Sequence, residues 1–145
     1  MNSGVSVNLT EHLKSCLEQH PEIEIYVGCD SQNTRGITLY ATTVVLRYPN
    51  RGAHVLYQKE RLPIVRDMWS RLWREIECSL EVARFIQEEL KIKVKQIDLD
   101  FNEDPEYPSH KVLKAARGYV SSMGFNPKAK PDLLMATWAA NVLCQ

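Results

Sequence analysis

Apolar and polar positions alternate most strictly between Ile23 and Gly28, where Ile23, Ile25 and Val27 exchange with Glu24, Tyr26 and Gly28. A period of two is the signature of an extended strand, and β-branched side chains suit its pleated surface. The stretch Ile23–Gln32 thus reads as a buried strand that runs straight into an acid. Gly28 allows another backbone or a ligand to come close, and Asp30 stands where the strand is expected to stop, with Ser31 and Gln32 opening a polar loop. Asn33-Thr34-Arg35-Gly36 reads as a turn. Ile37–Tyr48, rich in Thr, Val, Leu and Tyr, is predicted as a long second strand. Pro49-Asn50-Arg51-Gly52 reads as a hairpin turn and Ala53–Glu60 as the returning strand. The three strands make an antiparallel meander, followed by a connector at Arg61–Val65 that contains Pro63.

From Asp67 to about Leu90 the period lengthens to near 3.6 residues. Trp69, Leu72, Trp73, Ile76, Leu80 and Ala83 then share one helical face. Both tryptophans are expected as core anchors, because they lie in the same stripe as leucine and isoleucine. Ahead of the meander, Asn8 and Glu11 form a capping-box-like start to a short helix whose stripe is Leu9, Leu13, Cys16 and Leu17. It ends near His20 and Pro21, and residues 1–7 read as a frayed start. Neither His12 nor His20 has a second ligand at metal-binding spacing. Strand character returns over Lys91–Phe101 through Val94, Ile97 and Leu99, ending in Asp98-Leu99-Asp100-Phe101-Asn102. Glu103–Ser109 is a loop, and His110–Met123 a helix closed by Gly124. Phe125–Lys130 reads as a connector, and Pro131 opens a last helix through Leu143.

A chain of 145 residues suffices for one domain with a core and is too short for two, so 1–145 is read as a single domain. Eighteen basic residues balance eighteen acidic ones, which argues against a strongly basic nucleic-acid binder while leaving room for local patches. Cys16, Cys29, Cys78 and Cys144 are scattered, with no Cys-x-x-Cys pair. They suit reduced thiols in a cytoplasmic protein better than a zinc site. No secretory leader pattern and no membrane-spanning apolar run is recognised.

The element order is helix, three strands, helix, strand, helix, helix. It matches the start of the ribonuclease H-like fold, an α/β architecture with a mixed five-stranded-type sheet, an antiparallel three-strand meander plus a parallel strand, flanked by helices. A right-handed crossover through the long helix brings the end of the fourth strand beside the end of the first, which makes Asp30 and Asp100 neighbours. Ligands bind beyond such strand ends. Glu77 lies about 100° around the helix from Ile76, at the edge of the buried stripe and able to lean toward the strand ends, while Glu75 and Glu81 are expected further into solvent. Asp132, in the first turn of the last helix, is the fourth acid, although it also reads as a helix N-terminal residue. Four close carboxylates repel unless a cation sits between them, and Mg2+ or Mn2+ prefers oxygen ligands. Two such ions about 3.5–4 Å apart can activate a water and stabilise the leaving oxygen in phosphodiester cleavage.

Asp98 and His110 are expected in support, His110 as a proton shuttle or substrate-positioning group. Lys111, Lys114 and Arg117 recur every three residues. This row reads either as a phosphate-backbone contact or as a solvated helix face. Arg66, Arg71 and Arg74, around the start of the long helix, either do the same or pair with Asp67, Glu75 and Glu77.

Tyr26-Val27-Gly28-Cys29-Asp30-Ser31-Gln32, Leu72-Trp73-Arg74-Glu75-Ile76-Glu77-Cys78-Ser79-Leu80, Ile97-Asp98-Leu99-Asp100-Phe101-Asn102, and Gly124-Phe125 through Lys130-Pro131-Asp132 together resemble the YkuK-type family of ribonuclease H-like proteins. The resemblance runs from about residue 20 to the end and implies a fold more firmly than an activity. It implies that Asp30, Glu77 and Asp100 occupy the acidic positions of the superfamily, with Asp132 as the fourth. Members of the family carry an aspartate late in the last helix, where this chain has Asn141. As a metal ligand Asn141 would bind more weakly, for want of a charge. The expected function is a Mg2+- or Mn2+-dependent nuclease or related phosphodiester-processing enzyme acting on RNA, DNA or a hybrid. The alternative, favoured by neutral charge and by Asn141, is a non-catalytic module binding nucleic acid or a protein partner. A nucleotide-binding enzyme would need glycine-rich phosphate loops that the chain lacks.

Overall fold

A two-residue turn at Arg35 and Gly36, both with positive φ (46° and 80°), folds the first two strands onto each other. Such turns match the right-handed twist of the strands they join. β1 (Glu24–Thr34) and β2 (Ile37–Tyr48) pair antiparallel from Thr34↔Ile37 to Glu24↔Arg47. The structure is a computed structural model that describes residues 8–49, 52–99 and 109–129, without the side chains of residues 109–111. β3 (Gly52–Pro63) pairs with β2 out to Ile37↔Pro63. It therefore runs three residues beyond the expected Glu60, and Pro63 is tolerated because β3 is an edge strand.

α1 (Leu9–Gln19) starts as expected, with the Asn8 side chain accepting a hydrogen bond from the Glu11 N–H at 3.1 Å. α2 (Met68–Arg84) is capped by Asp67, which accepts from the Ser70 N–H at 3.1 Å, and continues as a π turn over Phe85–Glu89. The crossover returns to β4 (Gln96–Leu99), parallel to β1 through Tyr26↔Gln96 and Val27↔Ile97. α3 (Ser109–Ser122) ends at Gly124, whose φ of 89° permits the Phe125 N–H to donate back to the Val120 carbonyl at 3.3 Å. A fifth strand follows, β5 (Pro127–Ala129), parallel to β4. It falls inside the segment read as a connector, because three residues beginning with proline carry no alternation. The sheet order is β3-β2-β1-β4-β5, with β1 central. The expected last helix lies outside the described residues.

Ile23, Ile25 and Val27 join Val44, Leu46, Ile97 and Leu99 on one face of the sheet. They pack against Leu13 of α1, Leu72, Ile76 and Leu80 of α2, and Val112, Ala116 and Val120 of α3. Each Val, Leu or Ile among them, fully buried, contributes about 1.5–3 kcal/mol relative to its exposed state. Tyr26, Val45 and Val55 cluster on the opposite face. The expectation of two core tryptophans is half right. Trp73 packs edge-on against Tyr119 with ring centroids 6.0 Å apart, but Trp69 is 44% exposed. Angular position predicts burial only where another element faces the helix, and burial along α2 begins at Leu72.

Candidate active site

Two hydrogen bonds tie the lead-in of α2 to the β1–β2 hairpin, and a third within the hairpin braces them. Asn33 Nδ2 donates to the Val65 carbonyl at 3.1 Å, the Val65 N–H donates to Thr38 Oγ1 at 2.7 Å, and Thr38 Oγ1 donates to Asn33 Oδ1 at 2.6 Å. The first turns of α2 are thereby held over the far half of β1. Asp30 lies within that half and pairs with Ala41 of β2. This corrects the expectation that the strand stops at Asp30: the hairpin carries β1 on to Thr34. Asp30 does lie beyond the residues of β1 that pair with β4, the kind of strand end at which ligands bind in helix-flanked sheets.

The inward acid of α2 is Glu75, not Glu77. Glu75 is 5% exposed and accepts a hydrogen bond from Ser31 Oγ, on the residue after Asp30. Glu77 has a 56% exposed side chain that lies 3.6 Å from Arg74 Nη1. It belongs to a surface group in which Arg74 also reaches Glu60 at 2.9 Å and Glu81 at 3.5 Å. The expected placements of Glu75 and Glu77 are therefore reversed, while Glu81 is exposed as expected. The physical reason lies in two small residues. Cys78 and Ser79 are buried along with Leu72, Ile76, Leu80 and Ala83. At about 100° per residue they widen the buried arc toward Glu75 and leave Glu77 on the far side.

Successive strand residues point to opposite faces. Ser31 and Cys29 meet α2, through Glu75 and Cys78 respectively, so Asp30 faces the side shared by Tyr26 and Gly28. Asp98, next to the core residue Ile97, faces that side too. It is buried, accepts from Gln96 Nε2 at 2.6 Å and stands opposite Lys128 of β5. Tyr40, the cross-strand partner of Ser31, is buried with Cys29 and Cys78. Burial, and next the Glu75 carboxylate, push its phenol up to about 12, so it is a neutral donor at ordinary pH. The Cys29 thiol is raised by its hydrogen bond to Cys78 and by burial, whereas Cys78 is lowered by the same bond and by the Arg74 charge.

Asp100, Asp132 and Asn141 lie outside the described residues, as do the side chains of His110 and Lys111. Of the basic row, Lys114 is exposed, but Arg117 is half-buried with its Nε enclosed. Among the described residues no three His, Cys, Asp or Glu side chains converge as a metal site. Asp30 shares its face of the sheet with Asp98, while Ser31 and Glu75 lie on the α2 face. Carboxylates such as Asp30 and Asp98 are oxygen donors of the kind that Mg2+ or Mn2+ takes, so their chemistry fits such an ion. Sequence reasoning missed Ser31, Tyr40 and Glu75 as site residues. The signal available was the pair of small residues, Cys78 and Ser79, beside the apolar stripe.

A mixed sheet ordered β3-β2-β1-β4-β5, with a meander, a helical crossover and a parallel return beside the central strand, is ribonuclease H-like architecture. A family model described as Ribonuclease H-like matches residues 8–145, and the chain belongs to that family. No curated protein matches significantly. Among solved structures, the chain is similar to Ciona intestinalis endonuclease V in complex with a DNA containing an inosine followed by a ribo-adenosine. That match has 14% identity, covers 63% of this chain and 46% of that one, and has a TM-score of 0.36. A second Ciona intestinalis complex gives 12% identity, 92% and 65% coverage and a TM-score of 0.45. The catalytic domain of human endonuclease V gives 12% identity, 63% and 45% coverage and a TM-score of 0.37. The chain thus spans roughly half to just under two thirds of these proteins, and at such overlap the likeness extends to no residue of the site. No helix among the described residues is long and apolar enough to cross a membrane.

Proposed function

We propose that this protein is a cytoplasmic, single-domain, YkuK-type member of the ribonuclease H-like family that hydrolyses phosphodiester bonds of RNA, DNA or a hybrid with Mg2+ or Mn2+. Asp30, Asp100 and Asp132 would hold the ions, while Glu75, on the α2 side of β1 and across the sheet from Asp30, replaces Glu77 as the inward acid and supports the strand through Ser31. The single observation that supports this reading best is the burial of Glu75 against Ser31, directly after Asp30 on the central strand. Burying an ionisable carboxyl is costly, and perturbed, enclosed acids collect where chemistry is done. When bound, a divalent ion lowers the cost of negative charge on the attacking and leaving oxygens. The chain's own residues orient the reaction. Ser31 fixes the Glu75 carboxylate by donating to it, the β1–β2 pairing holds the Asp30 backbone, and Gln96 holds Asp98 behind the site. Water attacks phosphorus in line with the departing oxygen, with no bond formed between enzyme and substrate. His110 moves a proton or positions substrate, and an uncharged Asn141 limits affinity at any position it occupies in the ligand set.

The test is calorimetric titration with manganese, paired with cleavage of labelled RNA, DNA and hybrid. Asp30→Asn and Glu75→Gln should each weaken manganese binding by roughly 10–100-fold or more, with cleavage lost in step, while Glu77→Gln should behave as wild type. Failure of the wild type to take up manganese, or unchanged binding in Asp30→Asn, would end this reading. The zero net charge would then favour a non-catalytic module.

A further inference from the structure

Beneath α2, two donors near the Ser31–Glu75 contact lack acceptors among the described residues. Tyr40 is 1% exposed, and its hydroxyl has no hydrogen-bond partner among them. The Nε of Arg71 is likewise enclosed and without a partner among the described residues. Tyr40 lies directly across from Ser31 in the β1–β2 register. Arg71 precedes Glu75 by one helical turn, which puts both on one face of α2. The charges of Arg71 and Glu75 both act on the Tyr40 phenol, so the two orphaned donors and the acid share one small region.

Arg71 also makes no ion pair among the described residues, whereas the half-buried Arg47 and Arg74 pair with Glu24 and with Glu60. A buried donor without an acceptor is unfavourable, and an arginine fork more so. Two neighbouring donors of the same polarity ask for an anionic acceptor. The planar guanidinium matches a phosphoryl group. Although its Nε is enclosed, Arg71 as a whole stays half-exposed, which leaves a route in from solvent.

We infer that Tyr40 and Arg71 form a binding subsite for a phosphoryl oxygen, one turn of α2 away from Glu75. The inference rests on the proposal above that this site handles phosphodiesters, and it names the residues that grip the chain rather than those that hold metal. Tyr40 donates its hydroxyl and Arg71 its N–H groups, and neither exchanges a proton with the substrate.

The experiment uses the full chain in EDTA, so that metal binding plays no part. Anisotropy of fluorescein-labelled single-stranded RNA and DNA is measured against wild type, Tyr40→Phe and Arg71→Gln. Tyr40→Phe should weaken oligonucleotide binding about 5-fold and Arg71→Gln about 10-fold or more, the scale of one neutral and one charge-assisted hydrogen bond. Tyr40→Phe should also keep or raise the urea midpoint, because it deletes a group with no partner among the described residues. Inorganic phosphate that displaces the oligonucleotide would assign the subsite to a lone phosphate group. Failure to displace it would assign the subsite to a phosphate within a chain. Equal binding by all three proteins overturns the inference, with a buried water then the natural partner of both donors, and so does a wild type that binds neither oligonucleotide. Glu77→Gln, on the exposed side of α2, should bind as wild type in this assay. Because metal plays no part in it, absence of manganese uptake with oligonucleotide binding intact counts against the metal proposal alone.

Discussion

Glu75 and Glu77 have the same charge and nearly the same length, and they flank Ile76 on either side. The apolar residues alone do not separate them. With Trp69 and Trp73 included, the stripe is centred close to Ile76, and each acid stands about 100° away. Cys78 and Ser79 break the tie, and neither carries a strong hydrophobic signal, so the reading that turned Glu77 inward and Glu75 outward came out reversed. Asp30's place on the central strand was legible from the alternation of Ile23, Ile25 and Val27 that leads into it, although the strand runs past it to Thr34. Tyr40 was not, because its place opposite Ser31 depends on a two-residue turn at Arg35–Gly36 rather than the four-residue one expected. The two acids should also differ in stability. Glu75→Ala strands the Ser31 hydroxyl beneath α2 and should cost about 1–3 kcal/mol. Glu77→Ala removes one exposed partner of Arg74 and should cost less than about 1 kcal/mol. Urea midpoints at neutral pH decide this, and equal shifts would contradict the placement of Glu75.

At the scale of elements, the meander, α1, α2 and α3 were legible because each is long enough to repeat its period several times. β5 was not, since three residues cannot show alternation, and the end of β3 was cut short by a proline that an edge strand accepts. β4 pairs with β1 through Tyr26↔Gln96 and Val27↔Ile97, and contacts just ahead of it support that register. The Lys95 N–H donates to the Ile25 carbonyl at 2.8 Å, and Lys95 Nζ sits 3.0 Å from Glu24 Oε2. That contact, chiefly its hydrogen bond, lowers the Glu24 carboxyl below its usual 4.5 and raises the Lys95 amine above 10.5. A depressed carboxyl stabilises the fold above its unfolded value and loses that contribution as pH falls through the lower folded one. The raised amine contributes below 10.5 and loses its contribution as pH rises through its higher folded value. A double-mutant cycle with Glu24→Gln and Lys95→Met should therefore give a small favourable coupling near neutrality, as exposed ion pairs do. The coupling should vanish in acid, once Glu24 is protonated. A coupling that persists there would mean that the pair acts through packing rather than charge.

Across the whole molecule, α1, α2 and α3 share one core on one face of the sheet. α1 is joined to that core by Leu13 and meets the edge strand through a ring contact: His12 stacks on His54 of β3 with centroids 4.8 Å apart and planes 29° apart. Sequence spacing gave His12 no partner, because the contact spans the full hairpin. Burial, and then the neighbouring His54 charge, lower the His12 pKa from 6.5. The unfolded chain thus takes up a proton at His12 before the folded one does. Stability is insensitive to this group well above pH 6.5, and it falls as pH drops through 6.5 toward the lower folded value. The slope attributable to one such proton is at most about 1.4 kcal/mol per pH unit. His12→Gln, which cannot titrate, should flatten the urea-stability profile between about pH 5 and 7, the range in which histidine changes charge. His54→Gln removes the charge acting on His12 and should lessen the slope only in part, because burial is the larger cause. If wild type and His12→Gln fall with the same slope, the acid sensitivity of the fold arises elsewhere, and the stacked pair is merely a packing contact between α1 and the sheet edge.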